Sequence, residues 1–325
     1  MIDRFGNQII RPDDENPDPV MVKNEVRFMM KGFLASSSDS NGKRISIKGE
    51  WLSARLDKHP NQEEVLRLLE QVILAMDTYC RRSTSTDIPW YMGWLCRNLH
   101  FASHITKRYR TEAFDDIGYS VKFFERYREV QPTNQGKNIL VNVYTVQATA
   151  LLRDGNMQAV RQALEAAKER RRDPGDPDSG QILQQARQAT TLQVLEILEK
   201  ARACEESIAP DYARHNRFAI SETLYSTLYD VYAQLRREQE AFEAVRKAVG
   251  FSLQNVRTQP TGIRFKRLCD LYHKYAEHEM YDFASDPWSM DEAIELMEAY
   301  SKRSFLSPLK SHIDKLKRLR SQFQP

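Results

Sequence analysis

From Asn61 onward the apolar residues of this chain fall at intervals of three and four. Val65, Leu68, Leu69, Val72, Ile73 and Met76 share one stripe when wound at 3.6 residues per turn, and Asn61 is placed to cap the first turn. That stripe predicts a long helix ending near Cys80. The same period predicts helices over about 89–108, 111–129, 136–153, 156–171, 180–206, 211–235, 237–253, 261–281, 288–302 and 306–322. Their connections are short, which makes chain neighbours antiparallel. The widest break runs from Arg170 to Gly180, where Asp-Pro-Gly-Asp-Pro stops one helix and spaces the next.

Before residue 61 the pattern is different. Pro12, Pro17 and Pro19 among Asp13, Asp14, Glu15 and Asp18 read as an arm too polar and broken for a core element. Ser36 to Arg44 is a polar loop, Ile45 and Ile47 alternate with polar neighbours as a very short strand would, and 21–34 and 50–56 suit short helices. The expected organisation is therefore an irregular N-terminal segment over 1–60 and an all-α domain of stacked antiparallel helix pairs over 61–325. Gly and Pro are scarce, at 12 and 13 of 325 residues, and the prolines fall mainly between periodic segments, which favours helix over strand.

Within the helical part, positions recur. Tyr144, Ala148 and Leu151 line one helix face, Gly155 follows Arg153-Asp154 as a turn, and Val160, Leu164 and Ala167 line the facing side of a second helix. Tyr225, Tyr229 and Tyr232, then Ala241, Val245 and Ala248, repeat those offsets. A third unit pairs Leu268, Leu271, Tyr272 and Tyr275 with Ala293, Met297 and Tyr300 across a longer turn through Asp282 to Trp288. Small residues would let paired helices approach while the large ones fill the space between them.

This arrangement resembles the tetratricopeptide repeat, a helix-turn-helix unit with aromatic, small and apolar residues at such offsets. Two units match well, and others, including Ala113 to Phe124, match less closely. The glycine of that family beside the packed aromatic is replaced by Ala148 and Tyr229, and the closing proline is missing or displaced. The resemblance implies an α-solenoid whose curved surface holds a peptide or a partner helix. Generic helix packing with the same apolar stripes is the alternative.

Charge changes this picture only at the end of the chain. The total of 48 basic and 45 acidic residues is too balanced to name a nucleic-acid partner. Residues 302–325, however, hold seven Lys or Arg against Asp314 alone, a local net charge of +6 that leaves −3 on the rest. Leu309, Ile313, Leu316, Leu319 and Phe323 make a stripe there, so this segment reads as a basic C-terminal capping helix. Cys80, Cys96, Cys204 and Cys269 are widely spaced without a C-x-x-C pair, which suits reduced thiols in the cytoplasm. No window nears the roughly 20 apolar residues of a membrane span, and Met1 to Asp14 lacks a signal-peptide core. The expected chain is neither secreted nor membrane-bound.

Candidate chemistry is sparse. Cys96, His100 and His104 share a helix face, but three successive turns span about 12 Å, so at most two could hold one metal ion. His273 and His278 lie near Asp270, Glu277 and Glu279 without sharing a face. No nucleophile elbow, phosphate-binding glycine loop or H-E-x-x-H occurs. The sequence thus predicts no catalytic residue, no metal and no cofactor. The leading expectation is a non-enzymatic scaffold or adaptor that binds a protein through its helical surface. The alternative is an RNA- or DNA-binding component. It would use Arg81, Arg82, Lys107, Arg108 and Arg110, together with Arg264, Lys266, Arg267, Lys315 and Arg318, and would stack bases on Tyr109 or Phe265. These same cations would also suit an acidic partner, or simply keep helix ends wet. A third reading, an all-α hydrolase or metal enzyme, stays open because active sites assemble from residues distant in sequence.

Overall fold

The computed structural model describes residues 70, 73–74, 76–82, 84, 86–106, 115–170, 179–214, 216–283, 289–303 and 309–323. Among them every long element is an α-helix and no strand occurs. Helical residues at 73–74 and 76–82 precede α1 (Asp87–Thr106), α2 (Asp116–Val130) and α3 (Asn134–Arg170). There follow α4 (Ser179–Glu206), α5 (Arg217–Gln234), α6 (Glu238–Thr258), α7 (Gly262–Ala276), α8 (Met290–Arg303) and α9 (Lys310–Ser321). The fold is all-α, with helices packed on their neighbours in the chain. The N-terminal arm, the short strand at Ile45 and Ile47, and the Asn61 cap lie outside the described residues. No helix among the described residues is long and apolar enough to cross a membrane.

Contacts divide the chain into one unit ending at Val143 and a second beginning at Tyr144. In the first, α1 packs on α2 through a cluster of rings in which Trp90 and Trp94 meet edge-on and both meet Phe124 edge-on. The helices come this close because Gly93 has no side chain: a β-carbon there would stand 2.7 Å from the Phe124 ring. Ser120 completes the junction by donating to the Gly93 carbonyl at 2.8 Å. Asp115 caps α2 by accepting from the Gly118 amide at 2.8 Å, satisfying one of the free donors of the first turn.

In the second unit, α4, α5, α6 and α7 pack in succession, and α9 packs on α7 and α8. Contacts between Glu222 and Asn255 and between Tyr225 and Phe251 show that α5 and α6 run antiparallel, as their three-residue connection requires. Helices two steps apart are also tied. Lys274 of α7 reaches Asp230 of α5, 44 residues away, at 2.7 Å, and Arg267 of α7 meets Glu222 of α5 at 3.4 Å. Both ties join positions at nearly the same offset, so α5 and α7 run parallel. On α9 the stripe of Ile313, Leu316 and Leu319 is buried, while Lys317 and Arg320 pair with Glu298 and Asp291 of α8.

Two sequence readings need correction. The expected turn at Gly155 does not exist: α3 is continuous over 37 residues, and helices expected over 136–153 and 156–171 are one. An isolated glycine costs a helix only about 1 kcal/mol relative to alanine, which tertiary packing overrides. Gly155 instead lets Thr190 of α4 press against α3, where a β-carbon would collide with the threonine side chain. The helix expected over 211–235 begins only at Arg217, after Asn216 in a left-handed conformation at φ 58°. Arg217 itself holds the preceding chain out of the helix by donating to the carbonyls of Ala209, Pro210 and Tyr212.

Gly93→Ala should lower stability by roughly 1–3 kcal/mol through overpacking, despite the better helix propensity of alanine. Urea denaturation measures this, and adding Phe124→Leu should restore part of the loss.

Candidate protein-binding groove

The second half of α3 reverses the usual sorting of small and large side chains. Ala159 and Ala163, four residues apart, face inward and are buried, whereas Met157 and Leu164 are 56% and 58% exposed and Val160 is exposed beside them. Met157, Val160 and Leu164 share one stripe because they are separated by three and four residues. Val160 and Leu164, read from sequence as core positions of a hairpin, are therefore surface residues. The paired alanines one position earlier carried that signal.

Met157 and Val160 of this stripe, with Asn156 and Arg161, form one wall of a groove of ≈ 970 Å³, and Leu164 continues the exposed stripe one turn beyond it. The opposite wall is α4, chiefly Leu183, Gln184, Arg187 and Gln188, and the α5–α6 turn closes one side with Gln234, Leu235 and Arg236. Thr191 donates to the Gln234 side chain at 3.4 Å, joining α4 to that turn. Three guanidinium groups, from Arg161, Arg187 and Arg236, line the space, and among the described residues no carboxylate does. None of the three has an ion-pair partner among the described residues, unlike Lys247, Arg257, Lys274 and Lys317 of this unit. Arg236 also has φ 57°, a left-handed conformation that costs a non-glycine residue on the order of 1 kcal/mol.

Buried polar clusters hold the helices behind the groove. Glu205 of α4 is buried and accepts from Arg217 and Ser221 through Oε1 and from Tyr225 through Oε2, each at 3.2 Å. Burial and the Glu205 charge push the Tyr225 phenol up, so it stays protonated and donates. Tyr232, one helical stretch onward, donates to Glu199 of α4 in the same manner. Glu222, on α5, accepts from Asn255 at 3.0 Å. Burial raises its carboxyl above the usual range, opposed by Asn255, Arg267 and Ser252.

The residues singled out from sequence are scattered. Arg81 is exposed and bonded to Asp77 at 2.6 Å, and Arg82 is exposed. Lys107, Arg108, Tyr109 and Arg110 lie outside the described residues. Arg264 donates to the Gln259 carbonyl at 2.8 Å, Arg267 pairs with Glu222, and Lys266, Lys315 and Arg318 are exposed. Phe265 cannot stack a base, because it is 1% exposed and packed on Tyr300. Cys96 is buried with its thiol pushed well up by burial, and His100 Nδ1 lies 2.9 Å from Asp116. The carboxylate facing His278 is Glu238 of α6, at 3.4 Å, rather than either acidic neighbour in sequence. No cluster of three or more His, Cys, Asp or Glu that could hold a metal occurs among the described residues. Sequence reasoning missed Arg161 and Arg187, which with Arg236 belong to three different elements and share no motif.

No family model, curated protein or solved structure matches the chain.

Arg217→Met should destabilise the protein by about 3–5 kcal/mol, because Glu205 is left charged and buried. Glu205→Leu combined with Arg217→Met should cost clearly less than the two changes summed, as a double-mutant cycle in urea would measure. The raised carboxyl of Glu222 has a different signature. Its contribution to stability is fullest below the unfolded value near 4.5 and is lost as pH rises through the higher folded value. Glu222→Gln mimics the protonated form, so wild type should lose stability relative to this variant as pH is raised from about 5 to about 8. Denaturation curves across that range read the gap directly.

Proposed function

We propose that this chain is a non-enzymatic, all-helical interaction protein, which holds another protein through the groove between α3, α4 and the α5–α6 turn. The observation that carries this reading is the pair of exposed apolar side chains, Met157 and Val160, in the wall of that groove. Large side chains left outside on a helix that buries alanines inside are misplaced for the fold itself and well placed for a partner. Successive helix pairs supply the frame, with α7 tied back to α5 behind the α5–α6 turn.

The nucleic-acid alternative has less support. Several strong cations are already matched by carboxylates: Arg257 by Glu292 at 2.7 Å, Lys274 by Asp230, and Lys317 by Glu298. Such pairs leave little net positive field for phosphates. The four buried free thiols fit a reducing compartment such as the cytoplasm.

The test uses the full chain as bait in its native host, with and without nuclease, alongside Met157→Glu. A stoichiometric protein partner should survive nuclease and be lost with Met157→Glu, while the melting curve of the variant stays within about 0.5 kcal/mol of wild type, as for exposed sites. Retention of the same partner by Met157→Glu, or bound nucleic acid without a protein, would overturn the proposal.

A further inference from the structure

Resting on the protein-binding reading, we infer that the groove selects an acidic amphipathic helix, with Arg161, Arg187 and Arg236 receiving its carboxylates. Three observations converge. Met157 and Val160 line the groove at i and i+3 and Leu164 continues the exposed stripe beyond it at i+7, the spacing at which one helix offers a seam to another. A partner with apolar residues at the same spacing can interlock with that seam, whereas an extended peptide, with its two-residue period, would place only alternate side chains against it.

The second observation is charge. Arg161 directly follows Val160 and flanks the seam, Arg187 stands on the facing wall, and Arg236 stands on the turn between α5 and α6. Flanking positions of a helix seam are where ion pairs choose partner and orientation. Each guanidinium presents a planar fork matched to a carboxylate, and these three have no carboxylate of their own among the described residues. The remaining polar side chains of the wall among the described residues are the amides Asn156, Gln184, Gln188 and Gln234 and the Thr191 hydroxyl, which tolerate either backbone or side-chain partners. Among the described residues no aromatic ring lines the groove to stack a base, so a nucleic acid would find cations there without a platform.

The third observation is Arg236 itself. Its left-handed backbone at the end of α5 is the position at which glycine is most at ease, and the Arg237 amide there donates back to the Tyr232 carbonyl at 2.9 Å. The fold by itself would be served better by glycine. Keeping an arginine at the mouth of the groove is explained by what its side chain meets.

That conflict provides a clean test, because Arg236→Gly removes the cation while relieving the backbone. Random peptides of about 16 residues, long enough for roughly four helical turns, are displayed and selected on the full chain, with counter-selection on Met157→Glu. Enriched peptides should carry apolar residues at helical spacing flanked by Asp or Glu. By fluorescence anisotropy, they should bind Arg236→Gly about three- to tenfold more weakly, in line with one exposed ion pair, although this variant melts at the same or a higher temperature. Arg161→Glu with Arg187→Glu should weaken binding by more than about tenfold. Enriched peptides that depend on Met157 but are neutral or basic, or that ignore the three arginines, overturn the acidic-helix inference and leave the protein-binding reading standing. If no peptide distinguishes wild type from Met157→Glu, the groove itself is not a binding site and both fall.

Discussion

A carboxylate sealed between helices must be answered by donors, and Glu205 is answered by Arg217, Ser221 and Tyr225 at once. All three donors come from the first turns of α5, so the charge fixes where α5 starts and how it lies on α4. The other terminal nitrogen of Arg217, Nη1, then gathers three carbonyls of the connection, which has no helical partners for them. Everything beyond depends on this junction: α6 follows α5 through a tight turn, α7 is tied back to α5, and the turn itself forms one edge of the groove. The stack inherits its placement from a single desolvated ion and the groups that neutralise it.

Against that rigid side stands the second half of α3, whose packing is deliberately thin. Alanines at 159 and 163 contribute little buried area, at roughly 25 cal/mol per Å², compared with what the outward Met157 and Leu164 would have supplied. A helix with its larger apolar surface in water gains little by closing on its own neighbours. The contact of Gly155 with Thr190 holds one end of this stretch to α4, and the remainder is left apart as an open wall. Stability in this region is therefore ceded where a surface is presented, and recovered at the Glu205 junction and in the fully buried Tyr225, Tyr272 and Phe265.

Much of the fold was legible because helix stripes announce themselves. The periods at 237–253, 288–302 and 306–322 correspond closely to α6, α8 and α9, and Tyr225, Tyr272 and Tyr275 are buried as their spacing implied. What misled was glycine: Arg153-Asp154-Gly155 has the composition of a turn, and only the nearness of Thr190, 35 residues further on, makes it a packing site. The start of α5 was illegible for a similar reason, since the side chain that withholds 211–216 from the helix acts across space. The groove was hidden because its arginines come from three elements and acquire meaning only when those elements meet. Clusters adjacent in sequence, such as Arg264, Lys266 and Arg267, were easy to see and point in different directions.

The ties that hold the two units together internally are short in sequence. Arg126 reaches the Cys80 carbonyl across 46 residues, Arg97 reaches Asn142 across 45, and Lys274 reaches Asp230 across 44. None of these requires a distant part of the chain to be present first. A polypeptide wired this way has a low loop-closure cost at every step. Each helix can be fastened as soon as the next one or two have been made, so the chain can acquire its order progressively while synthesis is still under way.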